Sequence, residues 1–232
     1  MKKNLLYIIL TLSFFFVISC KNSKQNQKSM NNNDIKSSKS IISSNVNDSL
    51  ILNKLWTTEQ FRENRSARFR SLDDAYAHPD SVVNLAVYSG FKGGIPEDIN
   101  VFKNVQLIGA NYSELTSLPQ SISELKYLQI LHLNKNNFTE FPEVLTRIKY
   151  LKTILLSDNQ IGKIPDEISN LIYLENLVLN DNQLGNIPEA LFSLPNLKVL
   201  GLRKNSISAL PNKFDQLPLL EKLNLQGNNI EV

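Results

Sequence analysis

Apolar and polar positions recur along this chain with a step of 23 residues. Ile148 to Asn170 reads IKYLKTILLSDNQIGKIPDEISN, and Leu171 to Ser193 reads LIYLENLVLNDNQLGNIPEALFS. Laid over each other, their apolar positions, their Asn-Gln pairs and their Ile-Pro pairs coincide. The same frame runs without a slip from Pro79, with further coils starting at Phe102, Leu125, Ile148, Leu171, Leu194 and Leu217. Within a coil, Ile154-Leu155-Leu156 predicts a short strand with Ile154 and Leu156 on the buried face and Leu155 on the other. Leu151, Ile161, Ile164 and Ile168 complete the inward set. Stacked copies predict a parallel sheet, and one coil alone buries too little to stand by itself.

Two further columns run in the same frame. Asn136, Asn159, Asn182, Asn205 and Asn228 fall where the chain turns inward and leaves backbone groups without partners. A buried carboxamide has the donors and the acceptor to satisfy them. Ser113 and Gly90 take that place in the first two coils, so the column is incomplete at its N-terminal end. Pro96, Pro119, Pro142, Pro165, Pro188 and Pro211 form the second column. Proline suits the first position of a short returning helix. The acids that follow, as in Pro165-Asp166-Glu167, suit a helix N-terminus.

Each coil reads roughly L-x-x-L-x-x-L-x-L-x-x-N-x-L-x-x-L-P-x-x-I, which resembles the leucine-rich-repeat family in its 23-residue form. The resemblance covers residues 79–232, as six complete repeats and a partial seventh. It implies an α/β repeat fold, a leucine-rich-repeat solenoid. A curved parallel sheet lines the concave side, short helices or 3-10 turns line the convex side, and a helical cap covers the N-terminal end. The last coil stops at Val232 before its proline-bearing return, without a polar capping segment.

The first 78 residues are of a different kind. Residues 1–19 have Lys2 and Lys3, then an apolar run from Leu5 to Ile18 that is short for a membrane span. That pattern reads as a secretory signal peptide or an uncleaved anchor. Val17-Ile18-Ser19-Cys20 resembles a bacterial lipobox. The resemblance implies cleavage before Cys20, lipidation of its thiol, and an acyl chain such as palmitate on the new amine. It would place the protein in the bacterial cell envelope, on the outer membrane, periplasmic or surface side. Lys21 stands where some lipoproteins carry an inner-membrane aspartate. Residues 20–49 are rich in Asn, Ser, Lys and Gln and predict a flexible tether, roughly 30 Å end to end. Residues 50–78 predict the helical cap. Thr57 or Thr58 can start a helix carrying Phe61 and the basic run Arg62, Arg65, Arg68 and Arg70, read as a solvated face. Ser71 can start a second helix with Leu72, Ala75 and Tyr76 on one side. Trp56, Phe61, Phe69, Leu72 and Tyr76 are suited to cover the first coil.

Charge narrows the function. From Pro79 onward there are 13 Lys and Arg against 16 Asp and Glu, so the repeat body lacks the basic surface that nucleic acid requires. Cys20 is the one cysteine, and once lipidated it leaves no thiol nucleophile. The two histidines, His78 and His132, are too few for an expected zinc site or catalytic dyad. Gly90-Phe91-Lys92-Gly93-Gly94 lacks the spacing of a phosphate loop. We therefore expect no enzyme activity, no catalytic or metal residues, no cofactor and no small-molecule substrate.

Strand residues that do not point inward line the concave face. Leu107, Ile130, Leu155, Val178 and Val199 are apolar yet expected at that surface. Around them lie Tyr88, Tyr112, His132, Asn134, Ser157, Asn180 and Arg203. An apolar centre rimmed by Tyr, Arg and Asn suits a protein partner, with Tyr88 and Arg203 as anchors. Anchoring to a membrane through Cys20 is the second expected association. Two other classes share the pattern: an adhesin for glycans or host surfaces, and an envelope scaffold stacking through its last coil.

Overall fold

The computed structural model describes residues 51–64 and 68–231, in two compact units that are treated separately. The lipobox cysteine Cys20, the leader 1–19, the tether 20–49 and Arg65 lie outside the described residues.

In the first unit, α1 (Thr58–Glu63) carries a reciprocal cap. The Gln60 amide donates to Thr57 Oγ1 at 3.2 Å, and the Thr57 amide donates to Gln60 Oε1 at 2.7 Å. Trp56 packs edge-on against Phe61, with ring centroids 5.3 Å apart. The helix ends at Glu63, so of the basic run only Arg62 lies on it.

The second unit begins with β1 (Arg68–Phe69), which corrects the expected helical placement of Arg68. Arg68 and Phe69 extend the sheet, paired with Asn84 and Leu85 of β2 (Asn84–Ala86). A two-residue strand has too little alternation to announce itself beside a run of arginines at helical spacing. Then α2 (Leu72–Ala77) forms as expected, with the Asp74 amide donating to Ser71 Oγ at 3.2 Å. Ala75 is fully buried, and Phe69 and Leu72 pack on the core. The Tyr76 ring lies 5.0 Å from that of Phe102, and its hydroxyl donates to Asp98 Oδ1 at 2.5 Å. Burial, this hydrogen bond and the aspartate charge together push the Tyr76 pKa up to about 12.

Beyond β2, the sheet continues through β3 (Leu107–Gly109), β4 (Ile130–His132), β5 (Thr153–Leu155), β6 (Asn176–Val178), β7 (Val199–Gly201) and β8 (Lys222–Asn224). All eight strands are parallel and in chain order. From β2 onward the register advances by one coil per strand, Leu85 facing Ile108, then Leu131, Ile154, Leu177, Leu200 and Leu223. These central residues form the spine of one continuous core. In the fourth coil Leu151, Ile154, Leu156, Ile161, Ile164 and Ile168 are all fully buried, as their spacing predicts.

The asparagine column joins coil to coil. Asn136 Oδ1 accepts from the amides of Ser113 (3.0 Å) and Leu115 (3.1 Å) in the preceding coil. Its Nδ2 donates to Ala110 O and Leu133 O, both at 2.9 Å. Asn159, Asn182, Asn205 and Asn228 repeat the arrangement. Just before each, and before Gly90 and Ser113 at the same place in the first two coils, stands a residue in the left-handed region: Ser89, Tyr112, Lys135, Asp158, Asp181, Lys204 and Gly227, with φ between 49° and 73°. That conformation costs a non-glycine residue about 1–2 kcal/mol. It recurs because it swings the asparagine inward, while the amide of the same residue donates to the next coil, as Asp158 does to Asn180 O at 2.9 Å.

Two expectations need correction. The convex segments are 3-10 helices such as Gln120–Glu124, Glu143–Arg147, Asp166–Asn170 and Glu189–Ser193, and proline is their N-cap rather than their first residue. Its ψ of 96–156° is extended, and only the residue after it turns. The frame also slips once. Phe91, not the in-frame Lys92, fills the core position that Leu115 holds one coil later. Gly93 and Gly94, at φ 99° and 110°, absorb the displaced residue.

Asn159→Ala will leave two buried carbonyls and one amide without partners. It is expected to lower unfolding free energy by about 3 kcal/mol in urea titration. Asn137→Ala, on the exposed side of the matching turn one coil earlier, will stay within about 0.5 kcal/mol of the parent.

Candidate binding face

Three rows of side chains cross the concave sheet. The first runs Arg68, Asn84, Leu107, Ile130, Thr153, Asn176, Val199 and Lys222, as the strand register dictates. The second runs Ala86, Gly109, His132, Leu155, Val178, Gly201 and Asn224. Tyr88, Asn111, Asn134, Ser157, Asn180, Arg203 and Gln226 follow two residues further along each coil. Among the apolar members expected at the surface, Ile130, Leu155, Val178 and Val199 are half-buried. Leu107 is buried at 7% exposure, which corrects its placement as a contact residue. The cause is Gly109, whose missing side chain leaves space. Leu107 Cδ2 lies 3.9 Å from where a Cβ would stand.

The floor is therefore uneven. At the N-terminal end Ala86 and Gly109 leave it bare. A Cβ on Gly109 would meet Ala86 Cβ at 3.2 Å. At the other end a Cβ on Gly201 would meet Val178 Cγ1 at 2.9 Å. Between them runs the recessed strip of Ile130, Leu155 and Val178. Tyr88 and Tyr112, 48% and 54% exposed, stand at the rim.

The polar members divide between fold and surface. Asn134 Oδ1 accepts from the Ser157 amide at 2.8 Å, and Asn180 Oδ1 from the Arg203 amide at 2.9 Å. These two side chains extend the sheet's hydrogen bonding, so their acceptors are not free for a partner. Asp181 holds Arg203 at 3.7 Å and Lys204 at 3.2 Å. Lys135 Nζ sits 4.8 Å from the centre of the Tyr112 ring.

Arg68 was not foreseen as part of this face. Its guanidinium lies 5.4 Å over the Tyr88 ring, and Nη2 donates to Tyr88 Oη at 3.4 Å. Its charge also reaches His132. Burial first, and Arg68 second, hold the His132 pKa below its ordinary 6.5. His78, by contrast, is exposed at the end of α2, with Nδ1 3.9 Å from Asp74 Oδ1. Among the described residues no group of three His, Cys, Asp or Glu is placed to hold a metal ion, and no helix is long and apolar enough to cross a membrane.

Other columns also escaped sequence reading. Tyr127, Tyr150 and Tyr173 share one row outside the sheet, with Tyr150 and Tyr173 centroids 5.4 Å apart. Lys152, Glu175, Lys198 and Glu221 alternate in another, with Lys198 Nζ 2.5 Å from Glu175 Oε2. Reading every column at the coil step, not only the apolar ones, would have found both.

This geometry defines the repeats. Sequence models of the leucine rich repeat match residues 150–171 and 172–230. The repeats are leucine-rich repeats, and the body is a leucine-rich-repeat solenoid. No curated protein matches the chain. Among solved structures it is similar to the plant peptide hormone receptor RGFR1 in complex with RGF2. The identity is 31% and the TM-score 0.57, over 64% of this chain and 25% of that one. It is also similar to the ectodomain of the receptor kinase GASSHO1/SCHENGEN3 from Arabidopsis thaliana, in complex with CASPARIAN STRIP INTEGRITY FACTOR 2. There the identity is 27% and the TM-score 0.54, over 64% and 19%. A Leptospira interrogans leucine-rich-repeat protein matches at 25% identity and a TM-score of 0.49, over 69% and 53%. The chain thus spans a quarter or less of the two plant receptors and about half of the third chain.

NMR titration will place the His132 pKa below 6.5, and Arg68→Gln will raise it only part of the way, because burial is the larger cause. The folded value is depressed, so the unfolded chain takes up the proton first as pH falls. The stability tied to His132 is complete above about pH 6.5 and declines below it. His132→Gln will flatten part of that decline in pH-dependent melts.

Proposed function

We propose that this protein is a membrane-anchored leucine-rich-repeat lipoprotein that binds a protein partner through the concave face of its sheet, and that its role is binding rather than catalysis. The observation that carries the reading is the recessed apolar strip of Ile130, Leu155, Val178 and Val199, bordered by exposed Tyr88 and Tyr112. Half-buried aliphatics on a rigid concavity release water when an apolar segment lies against them, and aromatic rim residues add contact at low entropic cost. Two solenoids that it resembles with a TM-score above 0.5 are plant receptors, one of peptide hormones, each in complex with a partner. That likeness favours a polypeptide ligand over a glycan. The anchor rests on the sequence of residues 17–20, where a lipidated Cys20 would hold the solenoid at the bacterial envelope on the tether that follows.

Two experiments test the two halves. Leu155→Asp places a charge in the strip. Combined with Tyr88→Ala and Arg203→Ala, it is expected to abolish recovery of partners crosslinked in native cells. A triple variant that still recovers them overturns the concave-face reading. Cys20→Ala is expected to move the protein from the membrane to the soluble fraction, and unchanged membrane retention overturns the anchor.

A further inference from the structure

The N-terminal third of the concave face holds a cation without a counter-ion among the described residues. Arg68 sits at the edge strand, in register with Asn84, yet its guanidinium reaches Tyr88 on the far row of the next coil. It can cross because Ala86 and Gly109 leave the floor between them bare. Arg68 Nε and Asn84 Oδ1 are buried without hydrogen-bond partners among the described residues, and Asn84 is only 4% exposed. Tyr88 Oη accepts from Nη2, and no described carboxylate lies within ion-pair distance of the guanidinium. Along the surface rows and the left-handed column, acids begin only at Asp158. On this face Arg68 is a positive charge on a body with more acids than bases.

A purely structural guanidinium would be expected to have its donors met inside the fold, because a half-buried unpaired charge is costly. The C-terminal half of the face shows the contrast. Arg203 and Lys204 share the Asp181 carboxylate there, so each has an acidic neighbour that Arg68 lacks among the described residues. Arg68 has a planar fork of donors, one of them held by the Tyr88 hydroxyl with the Tyr88 ring 5.4 Å away, and the remaining donors suit a carboxylate bound on two nitrogens. The single guanidinium matches one negative charge.

We infer that Arg68, positioned by Tyr88 above the Ala86–Gly109 floor, binds an Asp or Glu side chain of the partner protein, while apolar residues of the same extended segment rest on the Ile130–Leu155 strip. The inference rests on the concave-face reading and adds the chemistry that selects the partner.

The probe is a set of matched peptide pools, acetylated and amidated at their ends. Each has a central Glu, Gln or Lys between flanks drawn from Leu, Val, Tyr and Asn. They are tested against the full-length chain in detergent. The Glu pool is expected to be retained about tenfold more than the Gln pool, with the Lys pool lowest. Arg68→Gln will erase the preference, Arg68→Lys will keep part of it, and Leu155→Asp will weaken all pools together. Melting curves matching the parent confirm that the Arg68 variants fold. Equal retention of the Glu and Gln pools, or a preference that survives Arg68→Gln, overturns the carboxylate site. If Leu155→Asp still reduces retention, the concave-face reading stands without it. If Leu155→Asp changes nothing, both fall. Retention only of peptides with a free C-terminal carboxylate also overturns the side-chain assignment.

Discussion

The turn after each strand leaves backbone amides and carbonyls without partners in their own coil, and a buried asparagine from the following coil supplies them. The rest of the solenoid depends on this bond. The Asn159 carboxamide reaches Leu133 O in one coil and Leu156 O in its own. It therefore fixes the vertical spacing at which Ile154 and Leu131 can meet in the core. The left-handed residue before each asparagine is the accompanying strain. Stability is shared between neighbouring coils rather than held by any one of them.

What was legible in the sequence was what the fold repeats. Inward leucines, the asparagine column and the parallel register all follow from residue types that recur at one step, and each has a reason tied to burial or hydrogen bonding. What was not legible lies where the pattern breaks or carries no type. Phe91 displaces Lys92 because a buried aromatic outweighs frame and two glycines permit the shift. The left-handed column is occupied by Ser, Tyr, Lys, Asp and Gly, so no composition signals it. β1 is two residues long and lies among arginines whose spacing suits a helix.

The face shows the same division. Its rows could be read from strand alternation, but which members are free could not. Asn134 and Asn180 are engaged by amides of the next coil. Leu107 is buried because a glycine stands two residues away, an effect of shape that hydropathy does not carry. Arg68 joins the site from outside the repeats, through a side chain long enough to cross two small neighbours.

The register also determines how this chain can change length. Between β2 and β8 the strand register is repeated at a constant offset from one coil to the next. Excising one whole coil from the middle, such as residues 148–170, would close the stack again with each column one member shorter. Removing one residue more or less would shift every asparagine below the cut off its carbonyls. The solenoid therefore tolerates duplication and loss only in whole units, and each unit lengthens or shortens the groove without altering its walls. The exception is the junction of β1 with β2, where Arg68 faces Asn84 across a shorter loop. That end cannot be copied or trimmed by the same rule, so the groove can grow away from Arg68 while that residue keeps its place.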